Sequence, residues 1–379
     1  PNAAMKWLFK KQIIWFFTGI FLMYLTSRIP LKFFFALSYV IYFLCLGALI
    51  LLFINSAGNR DVVRWFSFLG VKIQPSEFAK IGTILVLARF ISIHDISFEK
   101  PATLVIPICL VLLPFFLIVI QPDLGTSLVF IVFLFPLLFW NNFRVYELFF
   151  LASPFLSLLL SIIYTTSGNW ITWGVFFVIF FIMLVRFQKN ILISITLFSI
   201  NLISGIITPI VWTNFLKDYH RNRILSMLNP QGDPLGAGYQ VIQSKVAIGS
   251  GGLTGKGFLK GSQTNLSFLP EQHTDFIFSV LGEQFGFIGS ALVIFLFCLL
   301  IMRLLTYLME TGNLFANLIT IGIITQLTFH VIVNISMTVG LMPVTGLPLP
   351  FLSYGGSFII TIFIMFGLVI NPENRKTEF

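Results

Sequence analysis

The sequence places a carboxylate and an amine one helical turn apart at the start of an apolar segment. The segment from Gln74 to Lys80 reads QPSEFAK, and Pro75 suits the first position of a helix, where no backbone N–H is needed. Glu77 then lies in the first turn, where its charge complements the helix dipole. Lys80 lies where a cation is disfavoured, so it needs an anionic partner, either Glu77 at i,i+3 or a bound ligand.

A second carboxylate, Asp275, stands at the entrance of another apolar segment. One interpretation is that Asp275 caps the next helix, which would keep its carboxyl ionised. If Thr274 caps that helix instead, Asp275 is available as a general base beside a basic, glycine-rich loop. Glu283 lies about two turns deeper on a similar helix face and is a candidate to tune or relay the charge of Asp275.

Basic side chains near these carboxylates suggest a site for an anion. Arg64 precedes Trp65, and this pair is either an interfacial membrane anchor or an anion site with a stacking platform. A long polar stretch further along the chain supplies Arg221 and Lys245. Such cations suit a phosphorylated or pyrophosphorylated ligand.

The stretch from Gly249 to Gly257 invites comparison with a nucleotide-binding phosphate loop, but the pattern fails. Ser250 stands where the first glycine belongs, and Gly257 replaces the Ser or Thr that would hold magnesium. The glycines therefore predict only a close approach of the backbone to a neighbouring group.

Composition identifies the kind of protein that carries these residues. Of 379 residues, 57% are hydrophobic and only 10% are charged, with a mean hydropathy of +0.97. A soluble chain would carry about a quarter charged residues, and a porin-type barrel would alternate apolar and polar positions. Long apolar runs of roughly 20 residues instead predict an all-α polytopic membrane protein. We expect about eleven transmembrane helices, near 12–26, 33–54, 75–92, 101–120, 124–140, 145–164, 170–186, 190–212, 276–303, 314–337 and 350–370.

Lys and Arg residues in short loops predict the orientation of the protein in the membrane, because short loops rich in these residues stay in the cytoplasm. If the spans alternate, the residues that share the cytoplasmic side are Arg28, Lys32, Lys100, Arg144, Arg186, Lys189, Arg303, Arg375 and Lys376. The stretch 55–74 and the large loop 213–275 then lie together on the outer face. The basic N-terminal segment or linker, 1–11, also falls outside, with Lys6, Lys10 and Lys11, against the rule.

Cysteines and net charge exclude several kinds of site. Cys45, Cys109 and Cys298 all fall inside apolar runs, without a partner at metal-ligand spacing. We therefore assign no metal ligands and no certain cofactor, and whether a divalent cation assists stays open. The net charge of +9 comes without a nucleic-acid motif, so the expected partners are lipid headgroups or anionic ligands and not nucleic acid.

A last motif combines prolines and glycines at membrane depth, from Gly340 to Ser357. Irregular backbone is tolerated there only where it lines a cavity inside the protein. The alternative is a kinked helix that serves packing alone.

At these motifs the chain resembles the SEDS family (shape, elongation, division, sporulation) of peptidoglycan glycosyltransferases. Its elongation branch, the RodA type, is more similar than its division branch, FtsW, in the region of His273 and of Pro343. The matching segments follow the family's order along nearly the whole chain, and they are 64–65, 74–80, 121–127, 229–240, 243–257, 273–278 and 343–357.

The resemblance implies an inverting polymerase that joins lipid II molecules on the outer face of the bacterial cytoplasmic membrane, for elongation and rod shape. Asp275 matches the family's essential aspartate, the proposed general base. Its implied partners are lipid II, a class B penicillin-binding protein, the elongation complex and membrane lipid. The resemblance implies a substrate-binding set that consists of Arg64, Trp65, Glu77, Lys80, Arg221, Gln243, Lys245 and Thr274.

The chain departs from the family's pattern in two places, although the resemblance implies one SEDS-type transmembrane domain over 1–379. Its first span resembles the family's second, and three spans lie between Asn141 and Trp212 where one is expected. A lipid II flippase is the main alternative function, and a non-catalytic scaffold is a third. We see no inverted repeat that would favour a transporter.

Overall fold

The computed structural model describes residues 3–56, 64–68, 71–98, 100–214, 237–265, 269–371 and 373. The helices of these residues are α1 (Ala3–Arg28), α2 (Leu31–Ser56), α3 (Pro75–Ile93), α4 (Pro101–Ile120), α5 (Leu124–Trp140), α6 (Val145–Ser167), α7 (Ile171–Phe187), α8 (Ile191–Asn214), α9 (Ala237–Ser250), α10 (Ser262–Asn265), α11 (Ile277–Met309), α12 (Leu314–Thr338) and α13 (Gly356–Val369). A short antiparallel hairpin pairs β1 (Phe66–Phe68) with β2 (Val71–Ile73).

Each predicted span coincides with one of these helices, which confirms an all-α polytopic membrane protein. Seven of the described helices are long and apolar enough to cross a membrane, and α5, α7 and α13 are shorter apolar helices. The last span was predicted to begin at 350, but α13 begins at Gly356. The prolines before it keep that stretch irregular, because they lack the N–H that a helix needs.

Local sequence signals explain where several helices begin and end. Pro75 occupies the first turn of α3, as predicted. Asp123 caps α5, because its carboxylate accepts hydrogen bonds from the Thr126 backbone N–H (3.2 Å) and hydroxyl (3.0 Å). The Asn313 side chain caps α12, and Gly168 ends α6 in the left-handed conformation (φ 70°).

The chain divides into two compact units. The first comprises Pro1–Asp95, Val105–Leu137 and Ser226–Phe379, and the second comprises Ile96–Leu104 and Leu138–Leu225. The assignment of 1–379 to a single transmembrane domain stays a prediction.

Helix α12 is the central helix of the first unit. In its most apolar window 72% of the residues are buried, against 11% in α11 and 6% in α1. It packs against α3, α11 and α13. A buried helix of this kind can hold polar side chains that position its neighbours.

Helices α1 and α13 run parallel to each other. At one end the Gln12 amide donates to the Ser353 carbonyl (3.4 Å), and at the other the Asn371 amide donates to the Ile29 carbonyl (2.7 Å). The end marked by Gln12 is also the end at which Tyr354 meets His273, two residues before Asp275. Lys10 and Lys11 of α1 therefore lie at the same end of the unit as Asp275, as the sequence predicts.

Helix α11 is interrupted at Gly286, whose backbone is not helical (φ 66°, ψ −161°). The stretch 251–257 fills the interruption, because Lys256 N–H donates to the Glu283 carbonyl and Gly257 N–H to the Gln284 carbonyl, both at 3.0 Å. Beyond Gly286, Phe287 N–H donates to the Gly252 carbonyl (2.9 Å). The close approach that the glycines predict is thus an approach to the protein's own helix.

In the second unit, polar side chains join α6 to α8. Ser157 Oγ donates to the Asn201 carbonyl (2.8 Å) and Ser161 Oγ donates to the Gly205 carbonyl (2.7 Å). The Asn201 amide donates to Ser153 Oγ (2.8 Å), so contacts recur at about one per turn. Small residues and side-chain hydrogen bonds of this kind are typical of helix pairs in membranes.

Candidate active site

Glu77 and Lys80 form a buried ion pair on the first turns of α3. Lys80 Nζ lies 2.8 Å from Glu77 Oε2, and the two side chains are 0% and 4% exposed. The i,i+3 pairing predicted as one alternative is therefore present. Glu77 therefore supplies an anionic partner for the buried ammonium group.

The next contacts of Lys80 come from α12 and α13. Lys80 Nζ lies 3.4 Å from His330 Nε2 and 5.5 Å from the centre of the Phe358 ring. His330 is fully buried, stacks on Phe358 at a centroid distance of 4.9 Å, and places Nδ1 3.0 Å from the Pro348 carbonyl oxygen. The cation therefore contacts residues of α3, α12 and α13 at one point.

Asp275 lies just before α11 and is held through its backbone. Helix α11 begins at Ile277 with Phe276 at the N-cap, so the interpretation of Asp275 or Thr274 as the N-cap is wrong. The buried Asn334 amide donates to the Asp275 carbonyl oxygen (2.8 Å) and to the Leu347 carbonyl oxygen (2.7 Å). The segment before α11 is thereby fixed to α12.

The carboxylate of Asp275 lies beside Gly346. A Cβ atom built on Gly346 would stand 3.4 Å from Asp275 Oδ2, and Gly346 has a φ of +77°. The left-handed backbone favours glycine at this position, and a Cβ atom there would touch the carboxylate at van der Waals distance. The motif around Gly346 thus forms irregular backbone against the carboxylate, as predicted, and the alternative of a kinked helix is wrong.

Thr274 and its neighbours fix the same segment from a second side. Ser353 Oγ donates to the Thr274 carbonyl (2.6 Å), and Tyr354 N–H donates to the His273 carbonyl (2.8 Å). The Thr274 hydroxyl is engaged with Glu271, at 3.1 Å from its carboxylate.

A cavity of about 230 Å³ opens beside this segment. Its walls are mostly apolar, with Gln12 and His273 among the polar groups. Its lining residues are Leu8, Phe9, Gln12, His273, Ile277, Leu352 and Tyr354. A chain of CH₂ groups or a similar apolar segment suits such walls.

The remaining predicted residues occupy different places. Arg64 donates to the carbonyls of Gln121 (3.1 Å) and Pro122 (2.6 Å), so it fixes the turn before α5, and the neighbouring Trp65 is 40% exposed.

Two predicted residues lie on α9, and a third cannot be placed. Gln243 is partly exposed, and the exposed Lys245 packs its ammonium end against Gly340, where a Cβ atom would meet Nζ at 2.6 Å. Arg221 lies outside the described residues.

Glu283 forms a second buried charge cluster, at the interruption of α11. Its Oε1 lies 2.9 Å from Lys256 Nζ and accepts a hydrogen bond from the Gln263 backbone N–H at 2.9 Å. The carboxylate therefore fastens the stretch after α9 to α11. Among the described residues, no group of three His, Cys, Asp or Glu side chains could hold a metal ion.

Sequence reasoning missed His330 and Asn334, which are the two side chains that connect these parts. The available signal was a histidine inside a membrane span, since an ionisable residue there is a functional candidate by default. Asn334 gave no comparable signal, because its role depends on two carbonyls from distant segments.

Known proteins resemble this chain along most of its length. The family model FtsW/RodA/SpoVE, described as cell cycle protein, matches residues 2–173 and 168–378. The chain is 36% identical to the peptidoglycan glycosyltransferase MrdB of Escherichia coli K12, over 94% of this chain and 83% of that protein. It is 32% identical to the peptidoglycan glycosyltransferase RodA of Treponema pallidum, over 97% and 89% respectively.

Among solved structures, a chain from a study of how a peptidoglycan synthase complex coordinates polymerization and crosslinking is similar. It matches with a TM-score of 0.70 and 29% identity, over 99% of this chain and 92% of that one.

Proposed function

Because the chain belongs to the FtsW/RodA/SpoVE family of cell cycle proteins, we propose that Asp275 is the general base of glycan polymerisation with lipid II as donor and acceptor. The chain is a peptidoglycan glycosyltransferase that polymerises glycan strands for elongation. It is a multi-pass membrane protein, and we place its active site on the outer face of the bacterial cytoplasmic membrane.

The position of Asp275 is the observation that supports this assignment best. Its backbone is held by Asn334, the neighbouring Thr274 is held by Ser353, and its carboxylate faces Gly346. A base must be held within hydrogen-bond reach of the hydroxyl that it deprotonates. A carboxylate at a helix entrance, with its backbone fixed on two sides, suits that requirement.

In the proposed reaction the 4-hydroxyl oxygen of the acceptor GlcNAc attacks the anomeric carbon of the donor MurNAc. The new C–O bond forms as the bond from that carbon to the lipid pyrophosphate breaks, and Asp275 takes the hydroxyl proton. One displacement inverts the α-linked donor to a β-linked product. The transition state carries positive charge on the sugar and negative charge on the departing pyrophosphate.

Cations at the same end of the first unit are assigned to the pyrophosphate. Lys245 is exposed beside Gly340, and Lys80 is buried in its pair with Glu77. Arg64 fixes the turn before α5, and the neighbouring Trp65 is the proposed stacking surface. The other members of the proposed binding set are Arg221, Gln243 and Thr274. Preorganised cations stabilise a departing anion more strongly where water is excluded.

Apolar surface is needed for the polyprenyl tail. The cavity beside His273 opens next to the Asp275 segment and has mainly apolar walls. We assign it to the tail segment nearest the sugar.

A crosslinking partner follows from the nature of the product. The similar solved chain is from a study of a complex that coordinates polymerization and crosslinking. We therefore propose that this chain works with a class B penicillin-binding protein within an elongation complex, in contact with membrane lipid.

The test is polymerisation of fluorescent lipid II by the purified chain together with such a partner, resolved on a gel. We expect Asp275→Asn to lower the rate by about 100-fold or more, since a general base contributes about 10² to 10⁴. Glu271→Gln is the matched control, because it neutralises an exposed carboxylate in the same segment, keeps an acceptor for the Thr274 hydroxyl and should keep near wild-type activity. Both variants should unfold at the wild-type temperature.

Two results would contradict the proposal. Wild-type rates from Asp275→Asn would remove the base assignment. Transfer of lipid II across vesicle bilayers by the wild type, without any polymer, would favour the flippase.

A further inference from the structure

We propose that His330 and Asn334, one turn apart on α12, are positioning residues that hold the cation of Lys80 and the carboxylate of Asp275 in fixed relation. The inference rests on the proposed function of those two charged residues. It assigns a role to two neutral side chains that the reaction itself does not use.

The contacts of His330 determine its protonation pattern. A carbonyl oxygen only accepts, so Nδ1, 3.0 Å from the Pro348 oxygen, carries the ring's proton. An ammonium group only donates, so Nε2, 3.4 Å from Lys80 Nζ, presents its lone pair. The ring is therefore neutral, and it accepts one N–H of Lys80 while it donates to the loop.

The contacts of Asn334 are equally directional. Both of its partners, the oxygens of Asp275 and Leu347, are carbonyls, so the atom that faces them must be the NH₂ group. Each of its two hydrogens goes to a different segment. Asn334 is fully buried, which makes the loss of either bond costly.

These two side chains hold consecutive carbonyls of one irregular segment. Pro348 and Pro350 lack N–H groups, so the segment cannot satisfy its own carbonyls as a helix would. His330 binds the Pro348 carbonyl and Asn334 binds the Leu347 carbonyl, about 6 Å apart along α12. The other ring nitrogen of His330 contacts Lys80, and the same NH₂ group of Asn334 also donates to the backbone carbonyl of Asp275. One rigid turn therefore sets the spacing between the leaving-group cation and the base.

The alternative is that His330 serves only to pack its ring on Phe358. Two substitutions separate these roles. His330→Gln removes the ring but keeps a donor for Pro348 and an acceptor for Lys80. His330→Phe keeps a ring of similar size and removes both hydrogen bonds.

The experiment measures kcat and KM for lipid II polymerisation with the partner present, together with thermal unfolding. We expect His330→Phe to lower kcat about 100-fold with little change in KM, because small displacements of reacting groups cost about that much. His330→Gln should retain activity within about threefold of the wild type, and Asn334→Leu should resemble His330→Phe.

The relative polymerisation activity of the two His330 variants decides between positioning and packing. Activity of His330→Phe equal to or above that of His330→Gln would overturn the inference. If His330→Phe does not fold, His330→Leu replaces it, and equal activity of the Leu and Gln variants would overturn the inference.

Asp275→Asn, run in parallel, separates the two proposals. An active Asp275→Asn variant contradicts the assignment of the general base. The relative activities of the His330 variants test the positioning role separately.

Discussion

Asp275 lies against a glycine whose replacement we expect to be costly. Gly346 has a left-handed backbone (φ +77°), and a side chain on it would point at the Asp275 carboxylate. A residue with a Cβ pays roughly 1–2 kcal/mol in this conformation. The added methyl group would also occupy the space where an acceptor hydroxyl must approach the base.

We expect Gly346→Ala to lower the polymerisation rate by about 10- to 100-fold, because displacement at a reacting group has effects of that size. Gly252→Ala is the matched control: Gly252 also has a left-handed backbone (φ +56°), but its Cβ would meet open space. Both variants should lose similar stability in thermal unfolding, and only Gly346→Ala should lose activity. Equal activity of the two variants would show that Gly346 does not act through Asp275.

Charged residues of the site can be predicted from the sequence more readily than neutral ones. Glu77 and Lys80 are conspicuous because a charge inside an apolar span is expensive. Asn334 is not conspicuous, since a single amide in a span is common and its meaning depends on where two carbonyls lie. Asp275 is an intermediate case. Its position in the sequence also suits a helix cap, and only the helix start at Ile277 excludes that interpretation.

At the scale of elements, the interruption of α11 is the feature that most shapes the first unit. The stretch 251–257 donates to and accepts from the backbone of α11 on both sides of Gly286. The buried Glu283 adds an ion pair with the partly exposed Lys256 at the same place. The N-terminal part of α11, which follows Asp275, is thus fixed by a backbone contact that depends on glycine.

We expect Gly255→Ala to destabilise the protein by more than about 1–2 kcal/mol, the cost of its left-handed conformation alone. Gly255 has a φ of +79°, and a Cβ atom there would collide with the backbone carbonyl of Gln284. Gly249→Ala, in α9 with nothing near its Cβ position, is the control and should be neutral or slightly stabilising. Thermal unfolding in detergent measures the stability of both variants. Equal unfolding temperatures of Gly255→Ala and Gly249→Ala would contradict the role assigned to Gly255.

Hydropathy predicts the membrane helices well and the elements between them poorly. Long apolar runs have one stable solution in a bilayer, since every backbone group must be satisfied within the segment. Helix α9 and the β1–β2 hairpin lie in stretches expected to be loops, because tertiary contacts and not periodicity stabilise them. The interruption at Gly286 is equally invisible, since a single glycine within an apolar run is common in membrane helices.

At the scale of the whole molecule, the parallel course of α1 and α13 fixes which groups share an end. Lys10 and the loop after α12 lie at the end that carries Asp275, whereas Lys32 begins α2 at the opposite end. This agrees with the orientation expected from the sequence, in which the basic start of α1 is an exception to the positive-inside rule.

Cysteine labelling tests this orientation in cells. In a background without Cys45, Cys109 and Cys298, we expect Lys10→Cys and Leu341→Cys to react with an impermeant maleimide from outside. Lys32→Cys should react only after permeabilisation. All three side chains are exposed, so access and not burial decides the result. The reverse pattern would place Asp275 on the cytoplasmic face.

The serine contacts between α6 and α8 have a consequence for how this protein can diverge in evolution. Ser157 and Ser161 donate to main-chain carbonyls of α8, which every amino acid supplies. The hydroxyls on α6 are therefore under chemical selection, whereas Gly205, which faces Ser161 on α8, is constrained mainly in size by Trp173. Asn201, which faces Ser157, keeps a chemical constraint of its own because its amide donates to Ser153. Descendants of this sequence should accordingly exchange Gly205 for other small residues more readily than they lose Ser161, with the two helices still joined in the same register.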